Sequence, residues 1–90
     1  MRVALICTDK PGHLETRKAN REAHLAYIRE TGVVEMAGPL LGADGGMAGS
    51  LIVLQVETMA EAEAWAANDP YNKAGLFDTT LLKEWNKVIG

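Results

Sequence analysis

The sequence predicts an α+β fold with the element order strand, helix, strand, strand, helix, strand. Three observations support this prediction: short apolar runs of strand length, two stretches with helical spacing, and a glycine-rich turn between the middle strands. Crossover helices on either side of a central hairpin are typical of the ferredoxin-like, split βαβ arrangement. Because its helices cover only one face of the sheet, we expect a second copy of the chain to cover the other face, in a homodimer.

The size and composition predict one small folded domain over residues 1–90, with a hydrophobic content of 48%. The net charge of -3 gives no electrostatic reason to expect nucleic acid or an anionic membrane as a partner. No apolar run reaches the roughly 18 residues that a transmembrane helix needs, and the first apolar run is too short for a signal peptide. A single cysteine cannot form an internal disulfide, so we expect a cytoplasmic protein.

The first half of the chain predicts a strand, a long helix and a second strand. Residues 3–7 form a compact apolar run that ends in a turn, and residues 14–31 have helical spacing that stops at Gly32. Residues 33–38 predict the second strand, which Pro39 closes or bends because proline cannot donate to a ladder. Five residues three or four apart form one predicted stripe along the helix, with His24 on its flank: Leu14, Lys18, Arg21, Leu25 and Ile28.

The second half predicts a hairpin loop, a central strand, a capped helix and a last strand. Residues 41–49 are rich in glycine and predict a mobile loop, whereas residues 50–57 are apolar on both faces, as in a central strand. Thr58 is a good N-cap for a helix over residues 59–67, with Glu61 completing a capping box. One further turn follows at residues 71–76, and the last strand lies within residues 77–88.

The first candidate site lies on the first helix, where His24 follows Arg17 and Arg21 by two turns and one turn. Histidine titrates near neutral pH and suits general acid–base catalysis, while guanidinium groups suit planar anions such as carboxylates or phenolates. The residues alone leave alternatives open. A lone helical histidine is commonly a satisfied surface residue, and both arginines are equally consistent with solvated helix surface.

The second candidate region is the segment from Asp69 to Tyr71. A carboxylate there could orient a catalytic imidazole, although Asp before proline is also a common turn device. Tyr71 could form a pocket wall for an aromatic ligand, or it could belong to the core or to the dimer interface. Cys7 has no basic neighbour in sequence and is expected to be buried and inert. Two histidines and one cysteine at no ligand spacing predict no metal site.

The chain resembles the YciI-like (YCII-related) family over nearly its whole length. The resemblance rests on the order and spacing of several short motifs, which are Asp9-Lys10-Pro11, Arg17, Arg21, Ala23-His24-Leu25, Ala37-Gly38-Pro39-Leu40, Gly49-Ser50-Leu51, Asp69-Pro70-Tyr71, Lys73-Ala74-Gly75-Leu76 and Trp85. Two positions depart from the usual pattern: Glu22 replaces a proline, and Glu84 precedes Trp85 where the family often has proline. Both departures affect loop and helix geometry more than the candidate site.

This resemblance implies a dimeric α+β barrel with an active site built on a His-Asp pair, His24 and Asp69 by position. A branch of the family eliminates hydrogen chloride from a chlorinated hydroxyhydroquinone. We therefore expect a small-molecule enzyme without a cofactor, in which His24 abstracts a proton from a small cyclic or aromatic anion, by elimination or isomerisation. Its expected substrate-binding residues are Arg17, Arg21, Gly38, Pro39 and Tyr71. A non-catalytic, dimeric ligand-binding or regulatory module remains the alternative.

Overall fold

The computed structural model describes all 90 residues and has four strands and three helices. Their bounds in chain order are β1 Arg2–Asp9, α1 Leu14–Thr31, β2 Val34–Leu41, β3 Met47–Gln55, α2 Met59–Asn68, α3 Pro70–Lys73 and β4 Phe77–Glu84. The strands form one antiparallel sheet in the order β2-β3-β1-β4. This topology confirms the ferredoxin-like prediction. None of the three helices has the length and apolar character needed to cross a bilayer.

The helices pack on one face of the sheet, which we call the inner face. Alternate residues of the two central strands point to it and are fully buried, as at Val3, Ile52 and Leu54. Ala62 and Trp65 of α2 complete the same core cluster. The hydrophobic core therefore lies between the inner face and the helices.

The opposite, outer face of the sheet exposes a row of apolar side chains. Ile6 of β1 pairs with Leu51 of β3 and with Leu81 of β4, so the three side chains form one row across the sheet. All three are exposed, by 36%, 39% and 47%, and Met36 of β2 is exposed on the same face. The alternation of β3 is as predicted, but its outer face is only partly covered within this chain, since Val53 is 2% exposed and Leu51 is 39% exposed.

Helix α1 has the predicted bounds but buries a different face. It ends at Gly32, whose left-handed φ of 66° closes the last turn onto the Ile28 carbonyl. Its two buried residues are Arg17 and His24, whereas Leu14 is 41% exposed. The first turns of the predicted stripe, at Leu14, Lys18 and Arg21, are therefore exposed. Tyr27 and Ile28 pack against the core, but the two most buried positions of the helix are polar residues that find their partners on other elements, which helical spacing does not reveal.

Strand β2 and the hairpin turn also differ from the prediction. β2 continues through Pro39 to Leu41, because it is an edge strand and a missing N–H is tolerated there. The turn is confined to residues 42–46, and β3 begins at Met47. Gly49 belongs to that strand, where a Cβ would lie 2.2 Å from the Cys7 carbonyl oxygen. This glycine thus permits close approach of β3 to β1 and is not part of a loop.

Side-chain hydrogen bonds hold α1 and α2 together at the end remote from the β2–β3 turn. Thr58 caps α2 as predicted, accepting from the Glu61 N–H at 3.2 Å. The Trp65 indole donates to the Thr31 hydroxyl, and the Tyr27 hydroxyl donates to the Trp65 carbonyl, both at 2.9 Å. These contacts fix α1 relative to α2, and α3 follows directly from α2.

Candidate active site

His24 and Asp69 meet in the structure although 45 residues separate them. The His24 Nδ1 lies 2.8 Å from the Asp69 Oδ1, and the two residues are 6% and 0% exposed. A carboxylate oxygen accepts hydrogen bonds, so this contact favours the tautomer in which Nδ1 carries the hydrogen and Nε2 holds the lone pair. The structure therefore brings together the two residues that the sequence proposed as a pair.

The local sequence explains why Asp69 is held so firmly. Pro70 keeps Asp69 out of the helical region, with φ -59° and ψ 127°, which ends α2. The same Asp69 Oδ1 accepts from the Tyr71 N–H at 3.0 Å and so caps α3. The same Asp69 oxygen therefore both caps the turn into α3 and contacts the histidine. The other oxygen, Oδ2, is buried without a hydrogen-bond partner.

Tyr71 packs against His24 and completes an aromatic wall. Their ring centroids are 3.9 Å apart at an angle of 14°, which is a stacked arrangement. The Phe77 ring packs edge-on against the Tyr71 ring, with 6.1 Å between centroids. The Arg17 guanidinium carbon lies 4.7 Å from the Tyr71 ring centre. Burial raises the pKa of the Tyr71 phenol, and the positive charges of Arg17 and Arg21 only partly offset it. Tyr71 is therefore a neutral wall that restricts rotation of the imidazole.

Arg17 is largely committed to partners within the protein. Its side chain is 3% exposed, and its Nε and Nη2 donate to the two Asp9 oxygens at 2.7 and 2.9 Å. Nη2 also donates to the Ser50 hydroxyl at 2.9 Å. Burial alone would lower the pKa of Arg17, but Asp9 outweighs it and raises that pKa. Arg21, by contrast, is exposed and makes no ion pair or side-chain hydrogen bond, so it is the free cation of the site.

A cavity of about 200 Å³ opens beside the imidazole, between α1 and the inner face of β2 and β3. Six of the seven residues predicted for the site line it, while Asp69 lies behind the histidine. The lining residues are Arg17, Arg21, His24, Leu25, Ile28, Ala37, Gly38, Pro39, Met47, Ser50, Ile52 and Tyr71. The cavity is thus half apolar, with its polar groups supplied by a histidine, two arginines, a serine and a tyrosine.

Sequence reasoning missed two residues of the site, Asp9 and Ser50. Asp9 follows Val3, Leu5 and Cys7 in the two-residue alternation of β1, and therefore points to the inner face. Ser50 occupies the same face as Ile52 on β3. A polar residue at a core-facing position of a strand was the available signal, because such a group needs a buried partner.

The remaining reactive side chains do not converge on a second site. No group of three or more His, Cys, Asp or Glu side chains is arranged to hold a metal ion. Cys7 is fully buried, and burial, with the negative charges of Asp69 and Asp9, raises the pKa of its thiol to about 12. A thiol with so high a pKa is protonated at neutral pH and is a poor nucleophile.

Comparison with known protein families gives one matching model, the YCII-related domain, over residues 1–86. An uncharacterized protein of Haemophilus influenzae is 34% identical to this chain over 98 residues, covering 99% of this chain and 100% of the relative. Protein YciI of Escherichia coli is 33% identical with the same coverage.

Among solved structures, the chain is similar to 5-chloro-2-hydroxyhydroquinone dehydrochlorinase (TftG) from Burkholderia phenoliruptrix, in complex with 2,5-dihydroxybenzoquinone. The TM-score is 0.88 with 36% sequence identity, covering 96% of this chain and 94% of the other. PA3566 from Pseudomonas aeruginosa gives a TM-score of 0.59 at 13% identity, covering 98% of this chain and 93% of the other, which shows a shared fold alone.

The buried ion pair predicts a strong dependence of stability on Arg17. Arg17→Met leaves the Asp9 carboxylate buried without a partner, so we expect the free energy of unfolding to fall by about 3–5 kcal/mol. Adding Asp9→Leu removes the stranded charge and should recover most of that loss. Urea denaturation of the two single variants, the double variant and the wild type measures the coupling.

The matched control is Arg21→Met on the same helix, because Arg21 is exposed and unpaired. Its free energy of unfolding should stay within about 0.5 kcal/mol of the wild type. Equal losses in the Arg17 and Arg21 variants, or no recovery in the double variant, would contradict the assignment of this ion pair to the stability of the site.

Proposed function

The chain belongs to the YCII-related family, and we propose that it is a small-molecule enzyme in which His24 is the general base. The observation that carries this proposal is the hydrogen bond between His24 and Asp69 beside a cavity. It supplies the three things a base needs, which are an unprotonated nitrogen, a group that orients the ring, and space for a substrate.

The proposed reaction begins with proton transfer from a substrate carbon to the His24 Nε2. In an elimination, the electron pair of the broken C–H bond forms a double bond, and the leaving group departs with its own electron pair. In an isomerisation, the proton returns at another carbon. Asp69 stabilises the imidazolium that forms, because its buried negative charge lies 2.8 Å from Nδ1. No redox step is required for either reaction.

The size and polarity of the cavity support a single six-membered ring as substrate. A cavity of about 150 Å³ in another protein holds benzene, so about 200 Å³ accommodates one substituted ring. Arg21 supplies a positive charge for an ionised substituent, and the Tyr71 ring supplies an apolar wall. TftG, whose structure holds 2,5-dihydroxybenzoquinone, supports a small oxygenated ring as the ligand class.

We also propose that the outer face of the sheet is the contact of a homodimer. Its row of exposed apolar side chains runs across three strands, from Leu51 through Ile6 to Leu81. A contiguous apolar patch on a sheet face is a candidate protein–protein contact. Residues 37–39 of β2 border both the cavity and a shallow hollow on the outer face, so a partner bound there would lie next to the site.

The catalytic proposal predicts that His24→Ala strongly reduces turnover while the fold is kept. We expect kcat to fall by roughly 10²–10⁴-fold, the usual contribution of a general base. The measurement uses a panel of small hydroxyquinones and hydroxyhydroquinones, including 5-chloro-2-hydroxyhydroquinone. Chloride release and exchange of ring hydrogen for deuterium in D₂O are followed by ion chromatography and NMR.

The chain offers a matched control in its other histidine, His13, which lies at the start of α1 and bonds only the Pro11 carbonyl. His13→Ala should retain full turnover, and circular dichroism should show both variants folded. Equal rates in the His24 variant and the wild type would remove the proposed base. Binding by the wild type without any turnover would favour the alternative, a ligand-binding module.

The dimer proposal predicts that a charge on the outer face separates the subunits. Leu51→Glu should convert a dimer of the wild type into a monomer, because a buried unpaired carboxylate is costly. Sedimentation equilibrium gives the mass of each species. The control is Leu14→Glu, since Leu14 is similarly exposed but lies on α1. A monomeric wild type, or an unchanged Leu51 variant, would refute this interface.

A further inference from the structure

We infer that Ser50 donates a hydrogen bond to an oxygen of the molecule bound in the cavity and thereby selects an oxygenated substrate. The inference rests on the proposed function, because it concerns the same cavity. Ser50 is 3% exposed, lies on the inner face of β3, and lines the cavity together with His24. Neither the sequence analysis nor the proposed proton transfer gives Ser50 a role.

The hydrogen-bond count of the Ser50 hydroxyl leaves its hydrogen unused. A guanidinium only donates, so the Ser50 oxygen must accept from the Arg17 Nη2 at 2.9 Å. No acceptor in the protein takes the Ser50 hydrogen. A buried donor without a partner is costly, and the side of the residue that lines the cavity is where a partner can be supplied. A bound molecule with an oxygen at that position satisfies it.

The Arg17–Asp9 ion pair makes the Ser50 hydroxyl a better donor. It does so without giving this side of the cavity a positive charge that would attract every anion. Arg17 polarises the Ser50 oxygen, which strengthens donation from the same hydroxyl to a second acceptor. Asp9 neutralises Arg17 through two hydrogen bonds, so the Arg17–Asp9 pair beside Ser50 carries little net charge. Arg21 remains as the free cation of the cavity. The substrate is therefore a ring with two oxygen functions, one ionised group for Arg21 and one carbonyl, hydroxyl or phenolate oxygen for Ser50.

The position of Ser50 is fixed before any ligand arrives. Its backbone pairs with Cys7 on one side and with Pro39 on the other, in the middle of the sheet. Gly49, next to it, has no room for a side chain against the Cys7 carbonyl. The hydrogen bond from Arg17 fixes the side chain as well. A donor held in this way need not reorganise when charge develops on a substrate oxygen.

The test uses 2,5-dihydroxybenzoquinone as the probe and compares the wild type with Ser50→Ala by isothermal titration calorimetry. Loss of one hydrogen bond to a charged or polarised oxygen should weaken binding by about tenfold. The matched control is Thr80→Ala. Thr80 is in the same row of the sheet, since it pairs with Cys7 on β4, but it does not line the cavity. Its affinity for the probe should equal that of the wild type.

A second readout separates hydrogen bonding to the probe from a purely structural role of Ser50. The infrared carbonyl bands of the saturated probe should shift between the wild type and Ser50→Ala, and should stay unchanged in Thr80→Ala. An affinity loss without a band shift would overturn the inference, since it would show that Ser50 only supports Arg17.

The outcomes also distinguish this inference from the proposed function. Unchanged affinity and unchanged bands in Ser50→Ala would overturn the role of Ser50 and leave the cavity and His24 in place. Failure of the wild type to bind the probe at millimolar concentration would count against the proposed ligand class and against this inference together.

Discussion

The hydrogen bond between His24 and Asp69 is the contact on which the rest of the site depends. One carboxylate oxygen caps α3 through the Tyr71 N–H and holds the imidazole Nδ1. Because Pro70 fixes the backbone of Asp69, the imidazole is oriented by main-chain geometry as well as by its own helix. The stacked Tyr71 ring prevents it from turning away. Helix end, aromatic wall and proposed base thus form one unit.

The site is built from polar residues at positions that usually belong to the core. All four buried polar residues of the chain, Arg17, His24, Ser50 and Asp69, line the cavity or support a residue that does. Each has a partner on a different element, so desolvation is offset only in the folded chain. A buried polar group carries a desolvation cost that an apolar residue at the same position would not, so the gathering of all four beside one cavity favours a role in that cavity over a role in packing.

The sequence predicted most of the fold, because its strands, helix ends and caps are local features. Gly32 and Thr58 act as expected, and the element order alone was sufficient for the topology. The errors came from tertiary context. Pro39 is tolerated within β2 because that strand lies at the edge of the sheet, and Gly49 belongs to a strand because β1 passes close to it. The pairing of Arg17 with Asp9 joins α1 to β1, which no helical or strand period encodes.

The central claim is that Asp69 holds the imidazole with its Nε2 free to accept a proton. Long-range ¹H–¹⁵N correlation NMR of the labelled protein reads the tautomer of each neutral histidine ring directly. We predict hydrogen on the Nδ1 of His24 and a lone-pair nitrogen shift at Nε2, with His13 as the internal reference. Hydrogen on the Nε2 of His24 would contradict the account, because that nitrogen could then no longer act as the base.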